Sequence, residues 1–148
     1  MAIDFTRELG RALVSAQDEA LRLGSPGIGT QHQLLGLLHG DDANVLRIFE
    51  EQGVTLARAR ERAAALPAPG DASGVTAAAG AALELAVQEA LDCGHREVGP
   101  GHLVMGILRA EDAPTETILS DLGADTVRIA RSVYAFCFRF PGALESLG

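Results

Sequence analysis

The sequence contains no lysine, and all 12 of its basic residues are arginine. A chain without lysine cannot form the phosphate-binding lysine contact of a Walker A loop or a Schiff base, which excludes those chemistries. Positive charge is also scarce, because 20 acidic residues give a formal net charge of -8 at pH 7. This balance repels a phosphate backbone and argues against a nucleic-acid partner.

Cysteine and long apolar runs are scarce as well. The two cysteines, Cys93 and Cys137, stand in no CxxC or zinc-ligand spacing. The first residues, MAIDFTRELG, lack the basic and apolar runs of a secretory signal, and no apolar run approaches the roughly 18 residues that a membrane span needs. We therefore expect a reduced, cytoplasmic protein without a membrane partner.

Alanine, leucine and valine supply most of the 47% hydrophobic content, with only one tyrosine and five phenylalanines. Strong helix formers are spread along the whole chain, and no extended β-branched alternation competes with them. A chain of 148 residues is long enough for one compact domain or two small fused halves. The composition predicts an all-α fold.

An internal repeat organises the sequence. A shift of 70 residues aligns Thr6–Leu56 with Thr76–Thr126 without a gap, and 17 of the 51 pairs are identical. Such self-similarity indicates a duplicated structural unit. We predict a first repeat over 1–66, a linker over 67–74, a second repeat over 75–140 and a tail over 141–148.

Each copy is predicted to contain four helices. In the first copy the helices span about 6–23, 30–38, 43–52 and 56–66. Thr30 and Gln33 form a T-x-x-Q pattern, which predicts a capping box at the start of the second helix. Pro100, Pro114 and Asp125 mark the corresponding helix starts in the second copy. Because neither copy buries much surface alone, we expect about eight helices in two units related by a pseudo-two-fold axis.

His32 and His102 occupy the first turn of the second helix in each copy. A duplicated histidine could indicate a catalytic or metal site, but no second ligand stands at helical spacing. The favoured interpretation is a neutral ring that packs against the first helix and hydrogen-bonds a backbone group. Gly36 and Gly106 are predicted to let another helix approach closely. No metal or cofactor is expected, and a histidine-dependent enzyme remains the less favoured alternative.

The duplicated IGTQH and VGPGH elements, each followed by an apolar stretch with glycine, resemble the double Clp repeat. This repeat forms the N-terminal domain of ClpC and ClpA unfoldases, and the resemblance covers about residues 5–138. The ATPase modules of those unfoldases do not occur in this sequence, so it resembles a free-standing Clp repeat protein. The resemblance implies a non-catalytic module that binds adaptors, substrates or unfoldase components, and that regulates ATP-dependent proteolysis or acts as a decoy.

Some ClpC-like domains recognise phosphorylated arginine through an acidic residue that follows the capping threonine. A carboxylate suits the guanidinium group, and the N–H groups of a helix N-terminus suit phosphate. In this sequence Gln31 follows Thr30, and Gly101 occupies the matching place in the second copy. The resemblance therefore implies at most a vestigial phosphoarginine-type site at Thr30, Gln31 and Gly101.

A second family surface lies where the first helices of the two repeats meet, and it receives adaptor proteins and macrocyclic antibiotics. Val75 stands there where phenylalanine is common, so the patch is less aromatic than usual and anchors a partner less strongly. Sequestering of a macrocyclic antibiotic is an alternative function. By position, this surface comprises Leu13, Val14, Gln17, Leu83 and Glu84.

The stretch YAFCFRF, Tyr134–Phe140, holds four of the six aromatic residues. One interpretation is that the last helix covers the interface between the repeats and buries these rings. The other is an exposed docking segment for a partner. The sequence leaves both open.

Overall fold

Eight helices form most of the part of the chain that the structure describes, residues 3–68 and 74–138 of a computed structural model. This confirms the predicted all-α fold with four helices in each copy. Most of the predicted linker and the whole tail, 141–148, lie outside the described residues. The helices are α1 (Arg7–Arg22), α2 (Thr30–His39), α3 (Ala43–Glu51), α4 (Leu56–Ala64), α5 (Ala77–Asp92), α6 (Pro100–Ala110), α7 (Ala113–Asp121) and α8 (Thr126–Phe136).

Local side-chain chemistry sets the ends of α1 and α5. The hydroxyl of Thr6 accepts a hydrogen bond from the N–H of Leu9 at 3.1 Å. The hydroxyl of Thr76 accepts the N–H of Ala79 at the same distance. These bonds satisfy N–H groups that have no partner inside the helix. Gly24 ends the segment after α1 with a φ of +68°, which glycine adopts without steric cost.

Four two-residue strands join the repeats, and the sequence patterns do not predict them. They are β1 (Asp4–Phe5), β2 (Gly27–Ile28), β3 (Gly74–Val75) and β4 (Glu97–Val98). β1 pairs in parallel with β4, and β2 pairs in parallel with β3. The two pairings are related by the same shift of 70 residues. Each pairing joins one strand from each half of the chain.

The closest helix packing lies within each repeat, between α1 and α2 and between α5 and α6. A Cβ atom on Gly36 would lie 2.2 Å from the carbonyl oxygen of Ala12, and one on Gly106 would lie 2.1 Å from that of Ala82. This confirms that the two glycines permit close helix approach. Across the repeats, α3 packs on α8 and α4 on α7. Within the described ranges, no helix has the length and apolarity needed to cross a membrane.

Candidate functional site

The duplicated histidines cap the helices that carry them. The Nδ1 atom of His32 accepts the backbone N–H of Gly29 at 2.9 Å, and His102 accepts that of Gly99 at the same distance. Gly29 and Gly99 are the N-cap residues of α2 and α6. The prediction of a hydrogen bond to a backbone group is confirmed.

The predicted T-x-x-Q capping box is wrong. Thr30 is the first residue of α2 rather than its cap, and its hydroxyl donates to the carboxylate of Asp112 at 2.7 Å. Since a hydroxyl has one proton, the Thr115 hydroxyl, also at 2.7 Å, is the donor to Thr30. Gln33 donates from Nε2 to the carbonyl oxygen of Ala79 at 3.1 Å. Both side chains connect the two repeats instead of capping α2.

The hydrogen bonds fix the proton of His102. Because Nδ1 accepts from Gly99, the proton of the neutral ring lies on Nε2, which stands 2.8 Å from Nδ1 of His95 and donates to it. Burial and the neighbouring His95 lower the pKa of His102 to about 4. Burial also lowers the pKa of His32, against the opposing effect of Glu19. Both rings are therefore neutral at pH 7.

This arrangement gives the two histidines a structural task. Their Nδ1 atoms are occupied by backbone N–H groups and cannot bind a metal in this state. Among the described residues, no group of three or more histidine, cysteine, aspartate or glutamate side chains is placed to hold a metal ion.

The positions expected for a phosphoarginine-type site lie in the first turns of α2 and α6. Gln31 is 4% exposed, and its Oε1 atom folds against Gly29 without a hydrogen-bond partner among the described residues. A Cβ atom on Gly101 would lie 2.8 Å from Cβ of Cys137 and 3.2 Å from the ring of Phe138. The end of α8 and the residues after it therefore fill the space that a side chain at position 101 would need.

The aromatic segment is divided between the interior and the surface. Phe138 is buried and stacks on His102, with ring centroids 4.5 Å apart. Tyr134 packs edge-on against Phe138, while Phe136 is 51% exposed. The interpretation of a buried ring therefore holds for Phe138, and that of an exposed ring holds for Phe136. Phe140 lies outside the described residues.

The residues predicted to bind a partner do not share one environment. Leu13 and Leu83 are half-buried and pack against the core, each on the first helix of its own repeat. Gln17 and Glu84 are exposed, and Val14 is 61% exposed. Of the five, Val14 alone lines a cleft of about 710 Å³ between α1 and the end of α2.

Two buried glutamates were missed by the sequence reasoning. Glu19 and Glu89, which correspond in the two repeats, are each 3% exposed. Glu19 accepts from Nε of Arg60 at 3.0 Å. Glu89 accepts from Arg109 at 2.9 Å and from the hydroxyl of Tyr134. The only available signal was a glutamate at the same place in both copies, on a helix whose neighbouring positions are apolar.

Glu89 also controls the titration of Tyr134. Partial burial of the phenol, in a residue that is 42% exposed, together with its hydrogen bond to Glu89, raises the pKa of Tyr134 to about 12. The hydroxyl therefore stays protonated and donates to the carboxylate at neutral pH. Like the histidines, this polar group is used to hold helices together, here α5 and α8.

The fold and these contacts define a mainly helical tandem-repeat domain whose buried polar groups stabilise its own fold. The chain belongs to the Clp repeat (R) N-terminal domain family, whose model matches residues 4–121 and 74–146. Domains of this kind are non-catalytic protein-interaction modules.

Two curated relatives illustrate the similarity in sequence. The ClpA homologue ATP-binding subunit of the Clp protease from Brassica napus chloroplasts is 32% identical over 136 residues, which are 87% of this chain. The chloroplast chaperone protein ClpC of Pisum sativum is also 32% identical over 136 residues. The chain spans only 15% and 14% of these two proteins.

Solved structures show the same fold. The N-terminal domain of ClpD from Arabidopsis thaliana superposes with a TM-score of 0.79 at 24% identity, covering 88% of this chain and 92% of that domain. The Hsp104 N-terminal domain from Candida albicans gives 0.73 at 16% identity, covering 88% and 89%.

Proposed function

We propose that this chain is a non-catalytic docking domain that binds adaptors, substrate proteins or components of a Clp unfoldase. The observation that carries the proposal is an exposed apolar stripe on α1, where Val14 is 61% and Leu21 is 69% exposed. The opposite face of α1 packs on α2, so this stripe is not needed for the core. Exposed apolar side chains on a domain of this family suit contact with a protein partner.

The proposed contact surface is the α1–α5 patch, defined as Leu13, Val14, Gln17, Leu83 and Glu84. Val14 provides apolar area that a partner can cover, while Leu13 and Leu83 are half-buried against the core, each on the first helix of its own repeat. Full burial of such a side chain contributes roughly 1.5–3 kcal/mol. The patch contains no aromatic anchor, so we expect moderate affinity and a partner choice different from that of aromatic-rich relatives.

Usual phosphoarginine binding is not part of this proposal. Gln31 and Gly101 carry no carboxylate for a guanidinium group, and the Thr30 hydroxyl is engaged by Asp112. In the second repeat, Cys137 and Phe138 occupy the space beside Gly101. These contacts support loss of the second site in particular.

A docking domain that binds the partners of a Clp unfoldase competes with that unfoldase for them. We therefore propose a regulatory or decoy role in ATP-dependent proteolysis. The purified chain is expected to slow adaptor-dependent degradation by a ClpC-type unfoldase and its peptidase, and added adaptor should relieve that inhibition. Unchanged degradation at a large molar excess of the chain would contradict this role.

Affinity capture with mass spectrometry tests the docking function. Val14→Arg places a charge in the α1–α5 patch, and Val127→Arg on α8 is the matched control because Val127 is 57% exposed. We expect the wild type and V127R to recover Clp adaptors, clients or unfoldase, and V14R to lose them. Equal recovery by V14R would remove the patch from the proposal. Recovery of no Clp component, adaptor or client by any form would refute the docking function.

A further inference from the structure

A second surface of α1 has a chemistry of its own. The cleft of about 710 Å³ between α1 and the end of α2 is lined by Arg7, Gly10, Arg11, Val14, Ser15, His39, Gly40 and Asp41. We call it the α1–α2 cleft. Its volume falls in the range of about 300–1,000 Å³ that is typical of ligand-binding clefts.

The α1–α2 cleft and the α1–α5 patch diverge from Val14. At 100° per residue, Arg7, Arg11 and Ser15 lie on one side of Val14 around the helix, while Gly10, Leu13 and Gln17 lie on the other. A ligand that spans the cleft from Gly10 to Ser15 therefore extends around α1 beyond the face that carries Leu13 and Gln17. Only Val14 belongs to both surfaces.

The floor of the cleft is apolar and open. Val14 is 61% exposed, and a Cβ atom on Gly10 would meet no atom within 4 Å. His39 is held at one wall, with Nδ1 3.3 Å from the hydroxyl of Ser15. An apolar side chain of a ligand can therefore lie over Gly10 and against Val14 without displacing a group of the protein.

The rim of the cleft is positively charged in an otherwise acidic protein. Arg11 donates to Asp41 at 2.8 Å, and both side chains are more than half exposed. Arg7 has no hydrogen-bond or ion-pair partner among the described residues, so the charged residues that line the cleft, Arg7, Arg11 and Asp41, sum to one positive charge. Arg11 also retains further N–H donors after its bond to Asp41, because a guanidinium group has five. The nearby acids Glu8 and Asp42 line a separate groove beside α6.

From this combination we propose that the α1–α2 cleft binds an extended peptide segment in which apolar side chains alternate with carboxylates. The apolar side chains lie on Gly10 and Val14, and the carboxylates pair with Arg7 and Arg11. The α1 residues of the cleft, 7–15, span about 12 Å of helix, which corresponds to about four residues of extended peptide. This inference rests on the proposed function as a protein-binding domain and adds a partner chemistry to it.

Fluorescence anisotropy with three labelled hexapeptides tests the chemistry. LELELE combines leucine with carboxylates, LKLKLK reverses the charge, and GEGEGE removes the apolar side chains. We expect LELELE to bind at least about tenfold more tightly than either of the others, with an affinity that falls as salt concentration rises. Equal binding of LKLKLK would overturn the charge argument. Equal binding of GEGEGE would overturn the apolar contact with Gly10 and Val14.

Two pairs of variants locate the binding. Gly10→Leu adds a side chain at the floor of the cleft, where a Cβ atom meets nothing within 4 Å, and Gly80→Leu is its counterpart in α5, where a Cβ atom is equally free. We expect G10L to weaken LELELE binding about tenfold and G80L to leave it unchanged. Arg7→Glu should weaken LELELE binding similarly. Arg62→Glu, which makes the same charge change at an exposed residue of α4, should leave the binding unchanged. Unchanged binding by G10L, or an equal loss in G80L, would overturn the proposed location.

One variant separates this inference from the proposed docking function. Leu83→Glu alters the α1–α5 patch on α5 and leaves the α1–α2 cleft intact, so it should lose patch-bound partners and still bind LELELE. If LELELE fails to bind the wild type while V14R and wild type differ in captured Clp partners, the cleft inference is wrong and the docking function stands. If LELELE binds and no Clp partner is captured, the docking function is wrong and the cleft inference stands.

Discussion

Gly106→Ala is expected to destabilise the protein although alanine is the better helix former. The added methyl carbon would lie 2.1 Å from the carbonyl oxygen of Ala82 and 3.0 Å from the backbone nitrogen of Ala86. Both atoms belong to the backbone of α5, so no side-chain rotation relieves the contact. The two helices must separate by about 1 Å, the shift needed to restore an ordinary contact distance, and the packing between them weakens.

The magnitude of this effect follows from two opposing contributions. Overpacking a core costs about 1–3 kcal/mol and sometimes more, and a backbone contact belongs at the upper end. Replacing glycine by alanine inside a helix returns about 1 kcal/mol. The net loss is therefore about 2 kcal/mol in the free energy of unfolding, or about 4–8 °C in Tm for a domain of this size.

Thermal and urea unfolding, followed by circular dichroism, measure this loss. Gly80→Ala is the matched control, because it makes the same substitution in α5 where a Cβ atom meets nothing within 4 Å. We expect G80A to gain about 0.5–1 kcal/mol from helix propensity. A Tm of G106A at or above that of the wild type would refute the close-packing argument, and so would an equal fall in G80A.

Three further predictions concern His102, Tyr134 and Glu89. The pKa of His102 is about 4 in the folded protein against 6.5 in a model peptide, so its stabilising effect is complete above about pH 6.5 and is lost as the pH falls toward 4. Urea unfolding at both pH values should show a loss of about 3 kcal/mol that is smaller in His102→Asn. Tyr134, the only tyrosine, should ionise near pH 12 in the folded protein and near 10.0, the ordinary pKa of a tyrosine, in urea, as measured by ultraviolet absorbance. Glu89→Ala should lower the free energy of unfolding by about 2 kcal/mol, while Glu84→Ala on the exposed face should leave it nearly unchanged.

Helix positions were predictable because their signals are local. The side chains of Thr6, Thr55 and Asp125 each accept a hydrogen bond from a backbone N–H three residues later. Donor and acceptor therefore fall within one short stretch of sequence. The duplicated glycines after α1 and α5 provide equally local ends. The predicted helices consequently agree with the observed ones to within a few residues.

The contacts between the repeats were not predictable in the same way. A strand of two residues is too short to show alternation, and β1 lies 93 residues before its partner β4 in the chain. Thr30 and Gln33 satisfied a capping pattern, yet their partners Asp112 and Ala79 lie 82 and 46 residues away. Buried polar groups require partners, and here the tertiary partners prevailed over the local ones.

The proposed contact surface was predictable only as a set of helix positions. Val14 is exposed on α1, but no sequence pattern joins it to His39 and Asp41 in a cleft. The partners of the buried glutamates were equally hidden. Arg60 lies on the fourth helix of its repeat, and Arg109 lies on the second helix of the other repeat. The glutamates at this matching position are therefore paired with arginines from different helices in the two copies.

This difference between the copies bears on where a partner binds. The segment after α8 places Cys137 and Phe138 over the first turn of α6, and Gly101 allows that contact because it has no Cβ atom. The stacking of Phe138 on His102 holds the segment there, since the neutral ring that caps α6 also forms the apolar floor beneath it. A ligand at the N-terminus of α6 would have to displace a buried aromatic ring from this floor. On α1 no such displacement is needed, because Val14 is exposed and the space above Gly10 is open. Both proposed surfaces include α1, which offers exposed apolar area without a buried ring to displace.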